Sequence, residues 1–154
     1  MLFRSVHHDK LPALQIAMMD DFASYETLRD DLSKWTNLPF WQIPPDAFLA
    51  KPPVGIFMEL VPSGQKVVQA RARVQQIIGL LQAVEAVRAY AAESGGKLPA
   101  TLEATKLPVP VDSFSGKPFA YEVKGESAVI RGTAPLDRKT EPFFNRVYEV
   151  TIRK

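Results

Sequence analysis

The sequence predicts an α+β fold, in which a long helix packs on a small three-stranded antiparallel sheet and a second helix and a proline-rich arm precede it. Three observations favour this fold. Residues 63–94 contain helix formers and no proline. Residues 119–123 and 127–131 are predicted as the two strands of a β-hairpin on either side of a turn at Lys124-Gly125-Glu126. Six of the 13 prolines fall within residues 38–62, where they block regular structure.

The 154 residues are expected to form a single domain, because a chain of this length commonly does. At 46% hydrophobic residues it can bury a core. The absence of cysteine excludes disulfides, thiolate metal sites and cysteine nucleophiles. Its predicted parts are an N-terminal helix (1–37), a packed proline-rich arm (38–62), the long helix (63–94) and a loop with the small sheet (95–154).

The charge and hydropathy patterns narrow the classes of partner. The formal net charge is +2, and no basic stripe is interleaved with aromatic residues, so we expect no nucleic-acid partner. No segment reaches about 18 apolar residues, so we expect no membrane insertion by this chain. The first ten residues lack the apolar centre of a signal peptide. The localisation stays open, and it is extracytoplasmic if the chain is a piece of a longer exported precursor.

The first helix is predicted from about Leu11 to Trp35, with Asn37 and Pro39 at its end. Its apolar residues recur at spacings of three and four, which places them on one helical stripe. The stripe comprises Leu14, Met18, Phe22, Tyr25, Leu28, Leu32 and Trp35.

The arm combines prolines with large apolar residues, which a disordered linker rarely contains. We therefore expect it to pack on the domain. One hypothesis places a ligand-binding groove between Phe40, Trp41 and Phe48 of the arm and the long helix. A proline-rich ligand for an aromatic groove is disfavoured, because the arm has no PxxP element.

The long helix is predicted to begin after Ser63 as N-cap and to end at Gly95-Gly96. If its apolar stripe is exposed in a monomer, self-association or docking to another protein follows. The stripe comprises Val67, Ala70, Val74, Ile77, Ile78, Leu81, Val84 and Val87. Beyond the helix, Gly125 suits the turn of a hairpin, and residues 146–153 are predicted as a third strand.

Between helix and hairpin, the segment DSFSGKPFAY predicts a structural turn. Asp112 can accept hydrogen bonds from backbone N–H groups two or three residues on. Gly116 supplies a turn conformation, Pro118 sets the entry into the strand, and Tyr121 shares a face with Phe119.

This segment also carries a resemblance to a known family. A long helix, then GGKLPATL, then D-x-F-x-G-K-P-F-x-Y resembles the C-terminal half of the major pseudopilins of type II secretion. The segment with its KGESAVI hairpin is also similar to uncharacterised exported bacterial proteins, abundant in planctomycetes. The resemblance covers residues 61–131 and implies a shared fold fragment. It implies no role in a secretion fibre, since Ser113 stands where proline is usual, and the apolar N-terminal segment and Asp-rich calcium loop have no counterpart. The matching residues are Asp112, Phe114, Gly116, Pro118, Phe119 and Tyr121.

Residues suited to catalysis are few, so we expect no enzyme and no cofactor. His7 and His8 are adjacent and point to different sides. An acidic helix side (Asp20, Asp21, Glu26, Asp30 and Asp31) is interpreted as a solvated surface. The basic residues Lys66, Arg71 and Arg73 have no glycine-rich phosphate loop before them, and we retain them as a possible interaction surface.

The favoured hypothesis for the function is a structural or protein-interaction module. The alternatives are a small-molecule or peptide-binding domain and an enzyme that uses the acidic residues or Asp112.

Overall fold

The computed structural model describes residues 11–48, 55–57 and 63–152, except the side chain of Leu136. The α+β prediction is confirmed, since a long helix packs on a three-stranded antiparallel sheet and another helix precedes it. His7, His8 and residues 49–54 and 58–62 of the arm lie outside the described residues. The described α-helices and strands are α1 (Ala13–Thr36), α2 (Gly64–Glu93), β1 (Ala120–Lys124), β2 (Ser127–Arg131) and β3 (Val147–Thr151).

The chain divides into two compact units. The N-terminal unit draws on residues 1–38 and 43–67, and the C-terminal unit on residues 39–42 and 68–154. The single domain predicted for the whole chain stays a prediction.

In the N-terminal unit, α1 has no buried residue. Phe57 of the arm nevertheless packs on α1. Phe57 contacts Phe22 edge-on, with 5.5 Å between ring centroids. The Phe57 backbone N–H also donates to the Asp21 carboxylate at 3.2 Å. This carboxylate of the acidic helix side therefore anchors the arm.

In the C-terminal unit, the strand order is β1-β2-β3, with both neighbouring pairs antiparallel. The register aligns Tyr121 with Ile130 and Ile130 with Tyr148, and these three side chains belong to the core on the face that meets α2. The predicted hairpin is confirmed, with Gly125 at φ +63° in its turn. The buried core comprises Leu80, Ala83, Val87, Leu102, Phe119, Ile130 and Val150.

The orientation of α2 differs from what its most apolar stripe would suggest. Of the eight residues in that stripe, only Val87 is buried. The buried face is built largely from small and polar residues, because these let neighbouring segments approach the helix axis. A Cβ atom on Gly79, for example, would lie 3.0 Å from Cζ of Phe119. The buried face comprises Val68, Gln69, Ala72, Gln76, Leu80, Ala83, Ala86, Val87 and Ala91.

Candidate functional site

The predicted turn at Asp112 is the most highly connected polar feature of the C-terminal unit. Asp112 is 1% exposed, and its Oδ1 accepts the backbone N–H of Phe114 at 3.1 Å, which confirms the predicted Asx-type turn. Oδ1 also accepts Nε2 of Gln76 at 2.9 Å. Oδ2 accepts the backbone N–H of Thr133 at 2.5 Å. The carboxylate thus joins the turn, α2 and the segment after β2.

The next residue attaches the same turn to α2. The Ser113 hydroxyl is buried and donates to the backbone carbonyl oxygen of Ala72 at 2.6 Å. Gln76 strengthens this attachment, because its amide nitrogen also donates to the Thr133 carbonyl oxygen at 2.9 Å. Ala72 leaves room for both contacts, since its side chain is a single methyl group.

Aromatic side chains cover the other side of this turn. Phe114 packs edge-on against Phe40 at 5.0 Å and against Phe144 at 5.7 Å between ring centroids. Trp41 lies over Gly116, where an added Cβ would be 2.6 Å from Cδ1 of the indole. Gly116 has φ +67°, so both its backbone and its packing favour glycine. The beginning of the arm is therefore part of this cluster.

The remaining residues of the predicted turn have separate positions. Pro118 is exposed and borders a cleft, whereas Tyr121 is half-buried on β1. The Tyr121 hydroxyl donates to the carbonyl oxygen of Pro99 at 2.9 Å. Burial raises the pKa of this hydroxyl, because the charged phenolate is disfavoured away from water.

These contacts decide what the Asp112 turn can do chemically. Both carboxylate oxygens accept hydrogen bonds from fixed donors, and the group is shielded from solvent. A general base must instead reach a substrate proton. The arrangement suits a structural joint rather than a reactive group.

The arm residues proposed for a groove are divided between the units. Phe40 and Trp41 belong to the C-terminal unit, and Phe48 belongs to the N-terminal unit, where it lies 2.8 Å from the position of a Cβ on Gly64. The groove between the arm and the long helix stays a prediction.

The three basic candidates have different surroundings. Lys66 and Arg71 are exposed, whereas Arg73 is half-buried. The guanidinium of Arg73 lies over the Phe144 ring, 5.9 Å from its centroid, which is a cation–π distance. Arg73 thus joins the aromatic cluster rather than an exposed basic patch.

The acidic side of α1 forms local ion pairs. Asp30 contacts Arg29 at 2.9 Å and Asp31 contacts Lys34 at 2.6 Å. The hydrogen bond to Asp31 raises the pKa of Lys34. Within residues 11–48, 55–57 and 63–152, no group of three or more His, Asp or Glu side chains could hold a metal ion. Exposed pairs of this kind contribute little to stability.

Three large apolar side chains near the middle of α2 are exposed. We call Val74, Ile78 and Leu81 the α2 seam. Their exposed fractions are 52%, 51% and 47%, and they succeed one another at about one turn of the helix. Arg71 precedes the seam and Glu85 follows it, and both are exposed.

A shallow cleft lies elsewhere in the C-terminal unit. Its volume is about 310 Å³, and its walls are mainly apolar because the segment between α2 and β1 is rich in proline. Leu107 and Val111 are 48% and 44% exposed there. The apolar lining comprises Leu102, Leu107, Pro108, Val109, Pro110, Val111, Pro118 and Phe119.

Gln76 and Gln69 are site residues that the sequence reasoning missed. Gln69 is 4% exposed and donates to the Asp137 carboxylate at 3.2 Å. The available signal was their helical spacing with Ala72 and Leu80, which defines a second, less apolar stripe. A glutamine on such a stripe indicates a buried amide that requires partners.

No family model, curated protein or solved structure matches this chain. The resemblance of residues 61–131 to pseudopilins therefore stays a prediction. Among the described segments, no helix combines the length and the hydropathy that crossing a membrane requires.

Proposed function

We propose that this chain is a non-catalytic protein-interaction module that binds another protein chain through the α2 seam. The observation that carries the proposal is the exposure of large apolar side chains on α2. The packed face of the helix is mostly alanine and glutamine with a few larger residues such as Leu80 and Val87. Val74, Ile78 and Leu81 are left about half exposed.

The energetics of burial support a docking role for the seam. Complete burial of one such side chain stabilises a structure by about 1.5–3 kcal/mol. Covering the exposed half of three side chains therefore contributes roughly 2–4 kcal/mol. The three residues are consecutive along one face, so a single partner helix can cover them together.

The Asp112 turn supports the non-catalytic part of the proposal. Its carboxylate holds Gln76, Phe114 and Thr133, and Ser113 is bonded to α2. The order of long helix, turn and hairpin over residues 64–131 also supports a pseudopilin-like fold fragment as part of this proposal. The turn then serves to hold α2 in the orientation that exposes the seam.

Site-specific photo-crosslinking in the source cells tests the proposal. A benzophenone amino acid replaces Ile78 in the full-length chain, and the matched control carries it at Glu149, an exposed position on β3. We expect a discrete crosslinked species from position 78 and none from position 149. Equal labelling from both positions, or none from position 78, would contradict a role for the seam.

A second candidate function is the binding of a small apolar molecule, which the cleft of about 310 Å³ favours. Leu107 and Val111 would contact such a molecule. Thermal-shift measurements across apolar ligands test this candidate, with the Val111→Glu variant as the control. A stabilisation that Val111→Glu abolishes supports binding there, and an unchanged melting temperature across the ligands opposes it.

A further inference from the structure

We infer that the partner of the α2 seam is a second copy of this chain, with the two α2 helices packed antiparallel about a two-fold axis at Ile78. This inference rests on the proposed function, because it uses the same surface. It names the partner and the register of the contact.

The spacing of the seam suits helix–helix packing. Val74, Ile78 and Leu81 are separated by four and three residues, which is the alternation found along coiled-coil contacts. Ile77 and Val84 are half-buried at its border. A second helix can therefore follow the seam at a shallow crossing angle of about 20°.

The charged residues at the two ends of the seam favour a second copy in antiparallel orientation. Arg71 lies seven residues before Ile78 and Glu85 lies seven residues after it. Around a two-fold axis at Ile78, each residue faces the position equally far on the other side. Arg71 of one copy then faces Glu85 of the partner subunit, and the symmetry forms this pair twice.

The same register also matches the apolar residues. Val74 lies four residues before Ile78 and Leu81 three residues after it, so each Val74 is level with position 82 of the partner subunit, about 1.5 Å along the axis from the partner's Leu81. A parallel pair would instead place every residue beside its own copy. Arg71 would face the partner's Arg71 and Glu85 the partner's Glu85, which is unfavourable.

Glu85 also pairs with Arg88 of its own helix at 2.9 Å. Both side chains are more than 60% exposed, so this pair is weak. A carboxylate has two oxygens and can accept from both arginines. The intrachain pair is therefore compatible with the proposed contact.

Cysteine crosslinking tests the register directly, because the chain contains no cysteine. In the purified full-length chain under a mild oxidant, Ile78→Cys is expected to form a covalent dimer rapidly. Val74→Cys alone is expected to stay monomeric, since two copies of position 74 lie about 12 Å apart along the axis, beyond disulfide reach. Mixing Val74→Cys with Leu81→Cys is expected to give a crosslinked dimer.

Lys124→Cys, at the exposed hairpin, measures collisional crosslinking. The inference is overturned if Ile78→Cys crosslinks no faster than Lys124→Cys. It is also overturned if Val74→Cys crosslinks as fast as Ile78→Cys, because that result indicates a parallel or unspecific pair.

A charge exchange tests the same contact without oxidation. Glu85→Arg and Arg71→Glu are each expected to weaken dimerisation about tenfold at low salt, since each places like charges together twice. The double variant is expected to restore the dissociation constant in analytical ultracentrifugation. Failure of the double variant to recover overturns the proposed register.

These outcomes separate the inference from the proposed function. If position 78 crosslinks to a different protein in cells and the purified chain gives no Ile78→Cys dimer, the second-copy inference fails and the proposed function stands. If position 78 crosslinks to nothing in cells and the purified chain stays monomeric, both fail.

Discussion

The two faces of α2 show that the large apolar side chains of a helix need not all lie on the side that packs. One face carries Val74, Ile78 and Leu81 and is about half exposed, whereas the opposite face carries Ala72, Gln76 and Ala83 and is buried. The buried face combines the apolar contacts of Leu80 and Val87 with close approach at alanine and hydrogen bonding at glutamine.

The buried face offers what the exposed face lacks. Ala72 exposes a backbone carbonyl oxygen that Ser113 reaches at 2.6 Å, and Gln76 supplies the amide that Asp112 binds. A valine or isoleucine at position 72 or 76 would prevent the Asp112 turn from making these hydrogen bonds to α2. Substitutions on the buried face should therefore break the joint between the turn and α2, whereas substitutions on the exposed face should leave it intact.

The largest expected effect follows removal of the Asp112 carboxylate. Asp112→Ala leaves the donors of Gln76, Phe114 and Thr133 without this acceptor, and we expect a loss of about 3–5 kcal/mol in the free energy of unfolding. Urea denaturation followed by circular dichroism measures it. Glu149→Ala on the exposed side of β3 is the control, with a change within about 0.5 kcal/mol.

Asp112→Asn sharpens the same test because it conserves the shape of the side chain. An amide group must oppose one of the donors with its own NH₂, so we expect a loss of about 2 kcal/mol. If Asp112→Asn is as stable as the wild type, the three hydrogen bonds do not act as the joint between the turn and α2.

The second effect distinguishes the two faces of α2 by how much added side-chain volume each one tolerates. Ala83→Leu inserts three carbons into a site that is 0% exposed, and overpacking of this kind costs about 1–3 kcal/mol. Ala70→Leu makes the same change on the exposed side of α2 and is expected to cost less than about 0.5 kcal/mol, since alanine and leucine have similar helix propensities. Equal losses in the two variants would contradict the assigned burial.

The local structure of this chain was predictable from sequence because its causes are local. The predicted bounds of α1, α2 and the hairpin agree with the structure to within about two residues. The Asx-type turn also depends on a contact over two residues, from the Phe114 N–H to Asp112. Periodicity and turn chemistry suffice for features of this range.

The orientation of α2 and the full set of partners of Asp112 were not predictable in this way. Two stripes of α2 both have helical spacing, and the sequence alone favours the more apolar one. The contact that decides between them joins Gln76 to Asp112, 36 residues away. No local pattern encodes a pair at that separation, so the partner of Gln76 was not predictable.

The third effect concerns Gly116, in the turn that packs against the buried face of α2. Gly116→Ala strains a backbone at φ +67° and meets Trp41, so we expect a loss of about 2 kcal/mol. Gly125→Ala is the matched control, because Gly125 has φ +63° but no atom within 4 Å of an added Cβ. Backbone strain alone should lower the free energy of unfolding of the Gly125→Ala variant by about 1 kcal/mol.

Tryptophan fluorescence separates packing from strain in that pair. The chain has two tryptophans, and Trp35→Phe leaves Trp41 as the reporter. We expect Gly116→Ala to change the emission maximum, since the indole must move, and Gly125→Ala to leave it unchanged. An unchanged emission in both variants would remove Trp41 from the turn.

The smallest effect comes from Tyr121, which faces α2 from the sheet. Its hydroxyl donates a hydrogen bond to the Pro99 carbonyl oxygen, so Tyr121→Phe is expected to lower the free energy of unfolding by about 1 kcal/mol at neutral pH.

Burial raises the folded-state pKa of the Tyr121 hydroxyl above its unfolded value. The stabilisation from Tyr121 is therefore complete below about pH 10 and is lost as the pH rises through the folded-state pKa. The variant should consequently lose stability less steeply than the wild type at alkaline pH, and parallel losses in urea titrations would show that the buried hydroxyl contributes nothing to that dependence.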